Sequence, residues 1–182
     1  LRRGAGKIKQ GIQLMERTDI LRIASACTKV KVDSGELIIR KDDPPGELYI
    51  VSEGSFKVFD DSLGEDFVYA ILTRGDIFGE MSFLDNSSRS ASVAALSDGS
   101  LLKMGSEEFG NLLREHPETA SNFLFALSSV VTGRLREVND ALTNMTFGTE
   151  SNEGEMTLED VIAQMHIAVH IELSSSRDFE ME

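Results

Sequence analysis

The chain has 182 residues, 41% of them hydrophobic, with 31 acidic side chains against 18 Lys and Arg and a formal net charge of −13. That length suits one domain with appendages, and the composition supplies an ordinary core. The negative balance argues against non-specific nucleic-acid binding and against docking on anionic lipid, both of which depend on Lys and Arg, and the single cysteine, Cys27, excludes an intrachain disulfide and a Cys-based zinc cluster.

A reducing, cytoplasmic setting follows, either for a free protein or for the cytosolic part of a larger membrane protein. The most apolar run, Phe123 to Val131, is interrupted by Ser128 and Ser129 and is too short to cross a bilayer. Leu1-Arg2-Arg3 lacks the apolar centre of a signal peptide, and a start on Leu suggests a piece of a longer protein.

Residues 1–17 read as a solvated lead-in. From Ile12 to Cys27, apolar residues near helical spacing predict two short helices with a break at Thr18-Asp19. β-rich text then occupies about seventy residues: Thr28–Val32, Glu36–Arg40, Glu47–Ser52, Phe56–Phe59, Phe67–Thr73, Ser90–Leu96 and Ser100–Met104. Asp33-Ser34-Gly35, Asp42-Asp43-Pro44-Pro45-Gly46, Gly54 and an acidic loop over Asp60–Asp66 punctuate them. Short strands with frequent turns imply an antiparallel sandwich or roll. At Ser106 the period changes. Ser106 is placed as an N-cap, with Glu107 and Glu108 in the first turn, and His116-Pro117 ends that helix. A longer helix over Glu118–Thr143 carries Leu124, Leu127, Val131, Leu135, Val138 and Leu142 on one stripe. Leu124, Val131, Leu135, Val138, Leu142 and Met145 also fit a/d spacing, which admits a homodimer through residues 118–145. Residues 144–182 read as an acidic linker with one amphipathic helix on Leu158, Val161, Ile162, Met165 and Val169, opened by the near capping box Thr157-Leu158-Glu159-Asp160.

The stretch Gly75 to Val93 carries the chemistry. Gly79 allows close approach of backbone, the residues after it can form a helical turn with free amides, and Arg89 offers a planar fork of donors to an anion. Glu80 repels an anion but suits a hydroxyl donor, so the expected ligand carries both a phosphate and a hydroxyl.

Phe78-Gly79-Glu80, the run Met81-Ser82-Phe83, a short loop and Arg89-Ser90-Ala91-Ser92-Val93 together resemble the phosphate-binding cassette of the cyclic nucleotide-binding domain family. The resemblance extends over residues 18–142 through the spacing of Gly35, Gly46, Gly54 and Gly75. It implies an α+β fold: an antiparallel, jelly-roll-like β-roll flanked by N-terminal helices and a C-terminal helix pair, the domain occupying 18–143. It implies cAMP or cGMP as ligand, with Glu80 on the ribose 2′-hydroxyl, Arg89 on the cyclic phosphate, and Phe78, Gly79, Met81, Ser82, Ser90 and Ala91 completing the site. The long helix would close over the base or carry movement to an effector domain or partner protein. Many members have Pro before the Arg. Here that residue is Ser88, which costs loop rigidity. Ser90 does not settle the purine, and cAMP is slightly favoured.

Other classes fit less well. His116, His166 and His170 fall outside the strands, unlike the metal ligands of a cupin-like enzyme. His166 and His170 lie at i,i+4 with Ile167 where a zincin would need Glu. No nucleophile elbow, Walker loop or metal cluster is apparent, so the expected module is regulatory and not catalytic. The rival reading is a β-roll that has lost its ligand and serves as an interaction scaffold.

Overall fold

The computed structural model describes residues 15–62, 64 and 66–147. Eight strands follow one another in the chain: β1 (Thr28–Val32), β2 (Leu37–Ile39), β3 (Leu48–Glu53), β4 (Phe56–Asp60), β5 (Phe67–Leu72), β6 (Ile77–Phe78), β7 (Ser92–Ala95) and β8 (Gly99–Met104). They form two antiparallel four-stranded sheets, ordered β1-β8-β3-β6 and β2-β7-β4-β5. Every step along the chain changes sheet except β4 to β5, and that alternation makes the expected β-roll. The helices are α1 (Arg17–Ala26), α2 (Glu80–Asp85), α3 (Ser106–Glu115) and α4 (Pro117–Phe147).

Alternation of side chains accounts for the layers. Val32, Ile39, Val51, Phe56, Leu72, Phe78, Val93, Ala95 and Leu101 fill the roll between the sheets. The intervening residues Leu48, Ile77 and Met104 join Ile23 of α1, Leu112 of α3 and Ala120, Phe123 and Leu127 of α4 in a second apolar cluster. The β1-β8-β3-β6 sheet is thus covered on both faces, and each fully buried Phe or Leu in it contributes roughly 1.5–3 kcal/mol.

Contacts divide the chain after Gly133. The unit beginning at Arg134 contributes, among the described residues, the last turns of α4. The amphipathic segment expected within 144–182, with His166 and His170, lies outside the described residues.

Three local expectations need correction. Thr18 and Asp19 sit inside the first turn of α1 and do not interrupt it, and the start of the helix expected before them, from Ile12, lies outside the described residues. Asp19 is buried because its carboxylate accepts hydrogen bonds from Thr119 Oγ1 (2.6 Å) and Asn122 Nδ2 (2.9 Å) on α4. These bonds, with the Arg22 cation, hold its carboxyl below the usual carboxylate range against the opposing effect of burial. The N-cap of α3 is Gly105 and not Ser106: Glu108 Oε2 accepts from the Gly105 N–H at 3.1 Å. On α4 Leu127 and Val138 of the expected stripe are buried, but the other buried apolar residues are Ala120, Phe123, Ala126 and Val130, while Leu124 and Val131 are only half-buried and Phe125 is 68% exposed. The apolar spacing alone could not tell these neighbouring stripes apart.

Candidate functional site

β5 ends at Leu72, and the turn Thr73-Arg74-Gly75-Asp76 returns the chain to β6. Asp76 Oδ2 accepts from the Thr73 N–H (2.7 Å) and fixes this turn. Two residues of strand follow, and then Gly79 adopts a left-handed backbone with φ 74°. A side chain is strained there, so glycine is what lets the strand turn directly into α2. That helix is short and ends at Asn86, also left-handed at φ 59°. Asp85 Oδ1 then accepts from both the N–H (2.9 Å) and the hydroxyl (2.6 Å) of Ser87, tightening the loop that leads to Arg89.

Arg89 is buried, at 6% exposure. Its Nη1 donates to Ser82 Oγ (2.7 Å) and to Gly79 O (3.2 Å), and its Nη2 donates to Glu47 O (2.8 Å). A guanidinium carries five N–H groups. Among the described residues three of these are engaged, which leaves the Nε–H and one Nη2–H for a further acceptor. Burial lowers the guanidinium's proton affinity, and the fields of Tyr49, Glu47, Asp43 and Glu80 oppose that. The backbone is held as well: Arg89 N donates to Asp43 O (2.9 Å), and Asp42 N donates to Arg89 O (2.8 Å).

Two glycines make room for this side chain. A Cβ on Gly46 would lie 2.8 Å from Arg89 Nη2, and one on Gly79 would lie 2.8 Å from Arg89 Nη1. On the side of the 43–47 turn, the guanidinium borders a cavity of about 230 Å³ whose walls include Asp43, Pro44, Pro45, Gly46 and Glu47.

The other expected residues gather around this arginine. Glu80 opens α2 with 1% exposure, and Ser82 is buried two residues further on. Met81 and Ala91 are half-buried, Ser90 is exposed, and the Ser90 hydroxyl meets Met81 Sδ at 3.9 Å, closing the two ends of the cassette on each other. Phe78 points elsewhere. Its ring stacks on Tyr49 (centroids 5.1 Å apart, planes at 14°) and packs against Phe56, so its side chain anchors the cassette in the core.

Sequence reasoning missed the residues behind the arginine. Asp42-Asp43 and Gly46 were read as a chain break and Glu47 as the start of a strand, with no link to Arg89, because nothing local announces a partner 42 positions away. It also missed a polar cluster at the end of β4. Asp60 accepts from Lys41 Nζ (2.6 Å), Tyr69 OH (3.1 Å), Ser62 N (2.9 Å) and the Ser62 hydroxyl. Lys41 N in turn donates to Ser92 Oγ at 2.9 Å, three residues beyond Arg89. Burial pushes the Asp60 carboxyl up, but Lys41 and Ser62 outweigh that and hold it well below the carboxylate range. Burial and the adjacent Asp60 push the Tyr69 phenol well above its ordinary value.

The β-roll thus carries a buried carboxylate, Glu80, and a buried guanidinium, Arg89, at the two ends of one short cassette. Residues 29–116 match the family described as "Cyclic nucleotide-binding domain", and the chain carries a domain of that family. It is 34% identical over 131 residues to the cyclic AMP receptor protein of Thermus thermophilus, covering 71% of this chain and 59% of that protein. It is also 34% identical over 117 residues to the cGMP-dependent 3′,5′-cGMP phosphodiesterase A of Dictyostelium discoideum, over 59% of this chain and 13% of that one. Among solved structures, the N-terminal domain of a transcriptional regulator from Streptomyces coelicolor superposes with a TM-score of 0.60 at 26% identity, covering 74% of this chain and 95% of that one. The chain thus spans less than two thirds of either sequence relative. Among the described residues no helix is long and apolar enough to cross a membrane, and no group of three or more His, Cys, Asp and Glu side chains is placed to hold a metal.

Proposed function

We propose that residues 18–143 form a cytosolic cyclic nucleotide sensor without catalytic activity. Glu80 accepts from the ribose 2′-hydroxyl. Arg89 holds the cyclic phosphate through Nε–H and the remaining Nη2–H, helped by the cassette around Gly79, Met81, Ser82, Ser90 and Ala91. The observation that carries this reading is the buried Arg89 with two donors to spare, in one cassette with the buried Glu80. Burying a guanidinium is costly, and an anion accepting from its remaining donors offsets part of that cost. The preferred ligand is cAMP over cGMP, a choice supported by the longer match to a protein named for cyclic AMP.

Transmission follows aromatic contacts. Phe83 of α2 meets Phe109 of α3 edge-on (5.7 Å), and Phe109 leans on Phe123 of α4 (6.5 Å). Ligand that shifts α2 moves this stack, and α4 carries the shift to an effector, in the same full-length chain or in a partner. Phe125, exposed on α4, favours pairing of two copies through 118–145.

Thermal melts with cAMP, cGMP and AMP test the reading. A ligand at 100 times its dissociation constant adds about 2.7 kcal/mol to the native state, so a cyclic nucleotide should raise the melting temperature and AMP should not. Arg89→Ala should remove the shift. A second reading, a scaffold that binds no nucleotide, is favoured by the three donors of Arg89 that the chain itself already satisfies. Absence of any shift at millimolar cyclic nucleotide would select it.

A further inference from the structure

Glu47 faces two ways. Its carbonyl accepts from Arg89 Nη2 at 2.8 Å, while its carboxylate accepts from Lys103 Nζ of β8 at 2.9 Å. Its side chain also lies along the start of α3, where a Cβ on Gly105 would sit 3.5 Å from Glu47 Cγ. β8 pairs with β3 through Tyr49↔Lys103 and Leu48↔Met104, so Lys103 stands on a well-registered strand immediately beside the loop that presents Glu47. The preceding residues, Pro44, Pro45 and Gly46, belong to no strand. Besides the lysine, the Glu47 peptide is set by the β3 ladder beyond Leu48 and by the Asp42 and Asp43 backbone bonds to Arg89.

We propose that Lys103 and the Glu47 carboxylate are positioning residues for Arg89: their ion pair pins the peptide whose carbonyl seats the guanidinium, and it ties that seat to the strand leading into α3. The pair is half-exposed, at 34% for Lys103 and 38% for Glu47, so its loss should leave the fold intact. The Glu47 carboxyl is held below its usual range, first by the Lys103 hydrogen bond, and the Lys103 ammonium is raised by the same bond. Both directions agree with an engaged pair. Its effect on affinity rests on the cyclic nucleotide reading above, but its effect on Arg89 does not.

The test therefore has two readouts on Lys103→Met, Lys103→Arg and Glu47→Gln. The first is the nitrogen-15 NMR spectrum of the Arg89 guanidinium in the unliganded chain, assigned with Arg89→Lys. A seated side chain gives slowly rotating, dispersed Nη signals, and these should collapse toward the solvent-averaged position in Lys103→Met and Glu47→Gln but persist in Lys103→Arg. The second is the affinity for cAMP and cGMP by calorimetry, which should fall roughly fivefold in the two disrupting variants, the upper end for a half-exposed pair, and recover in Lys103→Arg. Melting temperatures of all three should match wild type. Unchanged Arg89 signals in Lys103→Met would overturn the inference whatever the affinity. Collapsed signals in a chain whose wild type binds neither cyclic nucleotide would uphold the positioning role and overturn the proposed function.

Discussion

Gly46→Ala isolates the arginine seat from the rest of the fold. Gly46 is not among the residues with positive φ, so alanine can adopt its backbone and gains about 0.4–1 kcal/mol by restricting the unfolded chain. The only atoms its Cβ would meet within 4 Å belong to Arg89: Nη2 at 2.8 Å and Cζ at 3.7 Å. To reach ordinary contact at 3.4 Å, the guanidinium must retreat about 0.6 Å. A retreat of that size disturbs the 2.8 Å bond from Nη2 to the carbonyl of Glu47, one peptide away. Loss of a bond from a charged donor costs about 1.5–3 kcal/mol, partly offset by the gain above, so the unliganded chain should lose about 1 kcal/mol. Ligand binding should lose more, because the two donors kept for phosphate are re-aimed by the same movement. We expect about a tenfold rise in the dissociation constant for cAMP, equivalent to about 1.4 kcal/mol, measured by calorimetry. Gly79→Ala is the contrast. There φ is 74° and the Cβ would also meet Glu47 O at 3.0 Å, so stability and affinity should fall together, by about 1–2 kcal/mol for the backbone strain alone. A Gly46→Ala protein that binds cAMP within twofold of wild type would refute the seat as described.

Asp60→Asn leaves the Lys41 ammonium, 12% exposed, without its carboxylate, and should cost about 3 kcal/mol at pH 7 in urea melts. Because the Asp60 carboxyl titrates lower in the folded chain than in the unfolded one, its contribution is complete above the unfolded value near 4 and is lost as pH falls toward the folded value, so the gap between variant and wild type should narrow at pH 3. Asp42→Gly should stabilise by up to about 1 kcal/mol, since Asp42 sits at φ 66° and the N–H that donates to Arg89 O survives the change. A melting temperature at or below wild type would count against that strain. Burial, with Glu108 nearby, pushes the Cys27 thiol up to about 11. Its labelling by a thiol reagent at pH 8 should therefore be at least tenfold slower than that of a free peptide thiol, and denaturant should abolish the difference.

What could be read in advance depended on range. Seven of the eight strands were legible to within two residues because their limits are written locally: Asp33-Ser34-Gly35, Pro44-Pro45-Gly46 and Gly54 end runs of β-branched and aromatic residues, whereas β6, two residues long, is too short to show a pattern. The cassette was legible because Gly79, Glu80 and Arg89 lie within eleven positions of one another. Asp19 was misread as a breaker because its partners, Thr119 and Asn122, are about a hundred residues distant. The Asp60 cluster stayed hidden for a similar reason. Its lysine comes from the far side of β3, and an acidic loop gives no sign that one of its carboxylates is buried. On α4, two adjacent stripes were both apolar, and only the partner surface decides which is covered.

The absence of proline before Arg89 can now be weighed. Proline would fix φ at position 88, remove its N–H and restrict Ser87 before it. In this chain the same stretch is held by the paired Asp42–Arg89 and Arg89–Asp43 backbone bonds, by the Asp85–Ser87 turn and by three bonds on the guanidinium itself. All but the Asp85–Ser87 turn tie Arg89 itself to another residue. Stiffness in the site therefore comes mainly from distant acceptors and not from local restriction at position 88. The same arrangement explains why glycine is needed at both 46 and 79: an arginine seated this closely against two peptide groups leaves no volume for a Cβ on either.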